Sequence, residues 1–191
     1  MIDGQTSNNQ KSEDGWLPFL PYIGIPLIVA IFLVVRAGGS APVFVLLDVS
    51  AIVFGYVAAV IDFKYKKIPN KLILVMLGTW VFIATPSLFF MPNEAVDMFI
   101  NAGLGFLVGG GLFLLVYLVS RKGIGGGDVK FMAVMGLYVG LFGIFPIILY
   151  GTILAALTGL VLILLKKISR KDSIPLAPFL YVGILFTVFW L

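Results

Sequence analysis

Past a polar start, residues 1–15 (MIDGQTSNNQKSEDG), the chain alternates long apolar runs with short polar or basic breaks. The runs fall at 16–36, 42–61, 71–91, 98–119, 129–143, 146–165 and 175–191. Most approach the ~20 residues an α-helix needs to cross the hydrocarbon core of a bilayer. Residues 129–165 form one unbroken apolar stretch. As a straight helix it would be about 55 Å long, nearly twice the core thickness. It is expected to fold back, with Gly140, Gly143 and Pro146 marking the turn. The predicted fold class is all-α: a polytopic transmembrane helix bundle of about six or seven spans. Residues 16–191 form the membrane domain behind a polar, cytoplasmic N-terminal tail, residues 1–15. The first run is too long, and its leader too polar, for a cleavable signal peptide.

Composition agrees. Of 191 residues 61% are hydrophobic and 12% charged, with a mean hydropathy of +1.13. A soluble domain of this size has no interior large enough for so much apolar surface. The chain has no cysteine and no histidine, which excludes disulfides, thiol nucleophiles, thiolate metal sites and histidine-based triads. Catalysis must come from carboxylates, lysines, hydroxyls or backbone.

The net charge of +4 reflects topology rather than nucleic-acid binding. Lys64, Lys66, Lys67 and Lys71 share one break, Arg121, Lys122 and Lys130 a second, and Lys166, Lys167, Arg170 and Lys171 a third. Seven spans put all three and Lys11 on one side, with Arg36 alone opposite. The positive-inside rule makes that side cytoplasmic, at the plasma (inner) membrane of its host. Glu94 and Asp97 then fall in an outer loop. Small residues recur every four positions, as in Gly55/Ala59, Gly105/Gly109, Gly136/Gly140 and Gly151/Ala155/Gly159. Such rows let helices approach closely in lipid.

Two acids stand out. Asp62 ends the second run in VIDFKYKKIPN, and Asp128 opens the fifth in KGIGGGDVKF. The topology puts both at the cytoplasmic end of a helix, at similar depth, where they can share one water. An aspartyl peptidase needs that arrangement: one carboxylate draws a proton from water while the other, protonated, donates to the scissile carbonyl. Like charges at close quarters do not both ionise readily, so the pair holds one proton, and its titration belongs to the dyad. Each acid also has a plain structural role open to it. Asp128 would cap a helix starting at Val129, accepting the N–H of Lys130 or Phe131. Asp62 would pair with Lys66 one turn on. Gly125, Gly126 and Gly127 favour the chemical reading: without side chains they give access to positive φ and clear an edge where an extended peptide would pair.

These residues resemble the type IV prepilin peptidases, membrane aspartyl proteases marked by G-x-G-D. Gly125-Gly126-Gly127-Asp128 matches, and Val129-Lys130 continues it as G-D-x-K. Asp62 followed by a basic stretch and Ile68-Pro69-Asn70 is a second match, and IPLAPFLYVGIL from Ile174 resembles the I-P-x-x-P-F segment near the family's C-terminus. The three, in order, cover residues 50–190. The resemblance implies Asp62 and Asp128 as the catalytic pair, Gly125, Gly127 and Lys130 as motif residues, and Pro175 and Pro178 as shapers of the cleft. It implies a substrate too: a prepilin or prepilin-like protein whose short basic leader, typically ending in glycine, is cut at the cytoplasmic face. Larger bacterial members carry an insertion with paired cysteines linked to N-methylation. Here the first connection, Ala37 to Ala41, is short and cysteine is absent. That puts methyltransferase activity in doubt and implies a short, peptidase-only member with no cofactor and no metal. Prepilin-like proteins and membrane lipids are the expected partners, and nucleic acid is not.

Other residues have plainer roles. Pro69 breaks the loop, Asn70 caps the next span, Lys130 acts on the pair or on a phosphate headgroup, and Asn101 hydrogen-bonds between helices. Asp48, fourteen residues before Asp62, is about 21 Å from it along a helix, too far to join the dyad. Two other readings stay open. Presenilin-like intramembrane proteases also use G-x-G-D, but normally with Tyr-Asp at the first acid, where this chain has Ile61-Asp62, and with Pro-Ala-Leu-Pro, which Leu176-Ala177-Pro178 only partly matches. A non-catalytic membrane subunit of a pilus or secretion assembly, or a transporter, would place ionisable groups at mid-membrane, where these spans hold almost none.

Overall fold

The computed structural model of the chain describes residues 28–29, 31–33, 41–120, 124–167 and 174–190. Among the described residues, six helices with both ends in view follow one another: α1 (Pro42–Tyr65), α2 (Asn70–Ala84), α3 (Ser87–Phe90), α4 (Pro92–Val119), α5 (Gly126–Leu164) and α6 (Ala177–Trp190). Among the described residues there is no strand. The protein is an all-α membrane helix bundle. Pro42–Tyr65, Asn70–Phe90, Pro92–Val119 and Gly126–Leu164 are each long and apolar enough to cross a membrane. Of the first predicted span, residues 28–29 and 31–33 are helical. Phe32 meets Phe189 of α6 edge-on, ring centroids 5.6 Å apart. The rest of that span, the 1–15 tail, and Arg36, Arg121, Lys122, Arg170 and Lys171 lie outside the described residues.

At 39 residues α5 is too long for one crossing, and it reverses as the length argument requires. The break is at Gly140, with φ 68° and ψ −173°, a region essentially closed to residues with a Cβ. Gly109 of α4 faces both Met132 and Ile144. On a straight helix those two would be about 18 Å apart, so residues 126–139 and 141–164 are two antiparallel arms. The Leu141 N–H next to the break donates to Asn101 Oδ1 of α4 at 2.9 Å, the interhelical bond expected of Asn101. Gly143 and Pro146 lie inside the second arm, not in the turn, because the single positive-φ glycine suffices to reverse the chain.

Two other boundaries differ from the hydrophobic pattern. The 71–91 run divides at Thr85–Pro86, where Thr85 Oγ1 donates to Val81 O and Ser87 Oγ to Ala84 O, each at 2.6 Å. The run expected to begin at 98 begins at Pro92. Proline suits the first helical position, having no N–H to leave unpaired. Glu94 and Asp97 therefore occupy the opening turns of α4, where acids favour the helix N-terminus, and not an outer loop.

The first arm of α5 is the centre of the bundle. Phe131, Met132 and Met135 are completely buried. Two reciprocal bonds tie the arm to α2: Trp80 Nε1 donates to Leu137 O at 2.8 Å, and Tyr138 OH donates to Met76 O at 2.5 Å. On the α4 side the four-residue rows do what they promise. A Cβ on Gly136 would fall on the Gly105 carbonyl, and one on Gly105 on the Gly136 carbonyl. The second arm packs on α6 the same way, Gly151 against Leu180 and Gly183 against Ile147. Outside, Phe82, Phe89, Phe90 and Val119 are at least 80% exposed, the surface of a bundle whose solvent is hydrocarbon.

Backbone-to-backbone packing makes a sharp prediction. Gly136→Ala should destabilise the bundle by about 1–3 kcal/mol through overpacking. Gly78→Ala in α2, where nothing lies within 4 Å of the added methyl, should be neutral or stabilising by up to ~1 kcal/mol. Thermal unfolding in detergent checks both, and equal losses would contradict the packing.

Candidate active site

Asp62 and Asp128, sixty-six positions apart in sequence, come to the same end of the bundle, close enough for the charge of one to act on the other. Asp62 lies in the last turn of α1 and is only 5% exposed. Its helix stops at Lys66, whose backbone is left-handed (φ 52°, ψ 37°) and whose N–H returns to the Asp62 carbonyl at 2.7 Å. The side chain crosses to α6, where Asp62 Oδ2 accepts the Ala177 N–H at 2.9 Å. Burying a carboxylate is tolerable when it is hydrogen-bonded, and the first turn of a helix supplies N–H groups with no internal partner.

Asp128 is not the cap of a helix starting at Val129. The helix starts at Gly126, behind an extended Gly125 (φ −75°, ψ 145°), so Asp128 is its third residue. From there its carboxylate reaches back, and Oδ2 accepts the Gly125 N–H at 3.1 Å, while the Asp128 N–H donates to Gly125 O at 3.0 Å. Its other oxygen, Oδ1, is buried and has no hydrogen-bond partner. Each carboxylate thus has one oxygen held by a backbone N–H at a helix start.

The glycine run serves a different purpose from the one expected. Gly126 and Gly127 are helical, so they offer no strand-like edge, and the described positive-φ residues are Lys66, Gly140 and Lys166, none of them in the run. Gly127 is small because the chain's own α1–α2 connection lies against it: a Cβ would stand 3.0 Å from Ile68 O. Gly126 has open space around it. Pro69, extended at φ −73° and ψ 140°, precedes α2, and Asn70 makes no cap. Its Oδ1 instead accepts Lys130 Nζ at 3.0 Å, a strut joining the α1–α2 connection to the start of α5. Pro175 and Pro178 flank the Leu176–Ala177 step, and α6 starts regularly at Ala177, with Phe179 and Leu180 N–H both returning to Leu176 O. Composition and side-chain motifs gave no sign of the Ala177 amide as a site group, because the donor is main chain. The only signal was the proline pair around it.

Asp48 lies elsewhere. It lines a cavity of about 500 Å³ at the opposite end of α1, with Glu94, Asn101 and Gly140 among its walls and neither acid of the pair. Among the described residues no group of three or more acidic, His or Cys side chains is arranged to hold a metal ion.

Residues 49–164 match the type IV leader peptidase family. A prepilin leader peptidase/N-methyltransferase of Xanthomonas campestris pv. campestris is 30% identical over 131 residues, 68% of this chain and 45% of that protein. The protein of the same name from Bacillus subtilis is 25% identical over 66% of this chain and 48% of its own length, and that of Legionella pneumophila 30% over 68% and 45%. The chain spans about half the length of the curated relatives it matches. No solved structure matches it.

Because Asp62 satisfies a buried amide of α6, its replacements should separate. Asp62→Ala leaves the Ala177 N–H unpaired and should cost about 1–3 kcal/mol, whereas Asp62→Asn keeps an acceptor oxygen and should cost less than half of that. Unfolding in detergent measures the difference, and identical losses would mean that the bond contributes nothing.

Proposed function

The chain belongs to the type IV leader peptidase family, and from that premise we propose that it is a membrane-embedded aspartyl endopeptidase. It removes the short basic leader of a prepilin or prepilin-like protein, with Asp62 and Asp128 as the reacting carboxylates. The observation that supports the reading is the paired clamp: two acids from distant segments, each with one oxygen bonded to a backbone amide, and Asp128 Oδ1 buried without a partner.

The chemistry follows from that geometry. A water between the two carboxylates loses a proton to the ionised one as its oxygen attacks the scissile carbonyl carbon. The protonated carboxyl gives its proton to the carbonyl oxygen, which yields a neutral tetrahedral gem-diol. Collapse breaks the C–N bond. The leaving nitrogen takes the proton first drawn from water, a gem-diol proton returns to the second carboxyl, and the dyad is restored with one proton. No cofactor or metal takes part. Proteolysis, and not methylation, is the part of the relatives' printed activity that this pair serves.

The acids sit at the end of the bundle that carries the exposed Lys64, Lys66, Lys67 and Lys71. By the positive-inside rule this is the cytoplasmic face of the plasma membrane, where a leader is reached before its hydrophobic helix enters lipid. The lysines suit contact with anionic lipid and repel a basic leader, so selection rests on the substrate's apolar helix and its glycine. Lys130, bonded to Asn70, holds the two halves of the site together, while Pro175 and Pro178 fix where the Ala177 amide points.

Asp62→Asn and Asp128→Asn should each lower leader cleavage by about 10²–10⁴-fold, the contribution of a general acid or base, without loss of membrane insertion. Asp97→Asn, in the opening turns of α4 far from the pair, should cleave normally. Co-expression with a prepilin and a gel shift for leader removal reads all three, and normal cleavage by either catalytic variant would refute the aspartyl reading.

A further inference from the structure

The reversal of α5 leaves more than a turn. Around Gly140 the ends of α1, α4 and α6 line the cavity of about 500 Å³ that holds Asp48, at the end of the bundle away from the two paired acids. That volume suits a small molecule and is far more than a bare ion fills. The polar side chains on the wall are Asp48, Glu94, Asn101, Tyr138 and Thr187, and among the described residues the wall carries no lysine or arginine. Tyr138 is engaged as a donor to Met76 O, and Asn101 Oδ1 holds the Leu141 N–H. Asp48 has an interaction of its own. That leaves Glu94 and Thr187.

Thr187 is the more telling of the two. It is 3% exposed, and its Oγ1 is buried with no hydrogen-bond partner. Elsewhere in the chain Ser50 donates to Leu46 O at 2.7 Å, Thr85 to Val81 O at 2.6 Å and Thr152 to Ile148 O at 2.6 Å, the usual bond of a helical hydroxyl to the carbonyl four residues back. Thr187 has Gly183 at that position and makes no such bond. A buried polar atom left unpaired costs stability, and in a native fold it calls for a partner from outside the chain.

We propose that the cavity is a binding site for a primary ammonium group, held between the Glu94 carboxylate on α4 and the Thr187 hydroxyl on α6. An ammonium brings three N–H donors to a wall rich in acceptors, and Phe44 and Tyr138 on the same wall suit a cation. An anion would meet two carboxylates and no base. A metal ion is poorly served, since no group of three or more acidic, His or Cys side chains gathers among the described residues. Glu94 is exposed, so the site is reached from outside the bundle. The ligand would bridge α4 and α6, which otherwise scarcely touch. Two sources carry this chemistry: the headgroup of an ethanolamine phospholipid in the leaflet opposite the lysines, or a free amine. The site is remote from Asp62 and Asp128 and stands whether or not they cut a peptide.

Thermal unfolding of the full chain in a nonionic detergent tests it. The probes are phosphatidylethanolamine, phosphatidylcholine with the same acyl chains, and ethanolamine at matched ionic strength. At about a hundred times the half-saturating concentration, an ammonium ligand should raise Tm by about 5–10 °C. A response to the lipid alone assigns the headgroup, and a response to ethanolamine as well assigns a free amine. Phosphatidylcholine, whose quaternary nitrogen has no N–H, should shift Tm much less. Glu94→Gln and Thr187→Val should each lose at least half of the shift. Without ligand, Thr187→Val should leave Tm unchanged or higher, because the lost hydroxyl had no partner. No shift with either amine, an equal shift with phosphatidylcholine, or a full shift in both variants would overturn the proposal.

Discussion

A carboxylate at the rim of a hydrocarbon bundle has to be met by donors, and here both are met by main-chain amides at helix starts. Asp62 is bonded to Ala177 and Asp128 to Gly125. The first of these bonds is the more consequential, because it joins segments 115 positions apart and sets α6 against the end of α1. Without it the last helix would present an unpaired amide, and the buried first acid would lose the donor that α6 supplies. Helix starts are well suited to the task, since their leading N–H groups have no intrahelical acceptor.

The rest of the bundle brings those helix starts together. Its centre is the first arm of α5, held against α4 by glycine-on-glycine contact and against α2 by the Trp80 and Tyr138 bonds. The arm carries Asp128 at its first turn. The reversal at Gly140 sends the second arm back beside α6, so that Gly159 meets Ile174 at the level of the acids. Membrane helices have little hydrophobic drive to associate with one another, and close backbone approach supplies the needed dispersion. Small residues therefore decide which helices touch, and through that where the two acids meet.

Much of this was legible in the sequence. Run lengths gave the helices, the length of 129–165 required a reversal, and the three motifs pointed to Asp62, Asp128 and the proline pair. What could not be read were the partners. The glycines of the run looked like room for a peptide, but Gly127 is small because Ile68 lies against it. Asn70 looked like a cap, but its acceptor serves Lys130, 60 positions away. The start of α4 at Pro92 was hidden by Glu94 and Asp97, which read as loop residues to any scale that counts polarity alone. Ala177 was invisible because its useful group is an amide that nearly every residue has.

The central claim is spatial: Asp62 and Asp128 lie within range of one another's charge at one end of the bundle. The chain has no native cysteine, so a double variant, Asp62→Cys with Asp128→Cys, can be probed in membranes by a short thiol-to-thiol cross-linker without background. The account predicts efficient intramolecular cross-linking of that pair and none when Asp48→Cys replaces Asp62→Cys. Failure of the 62–128 pair to link, with both thiols reactive towards a monofunctional reagent and the protein still folded, would contradict it.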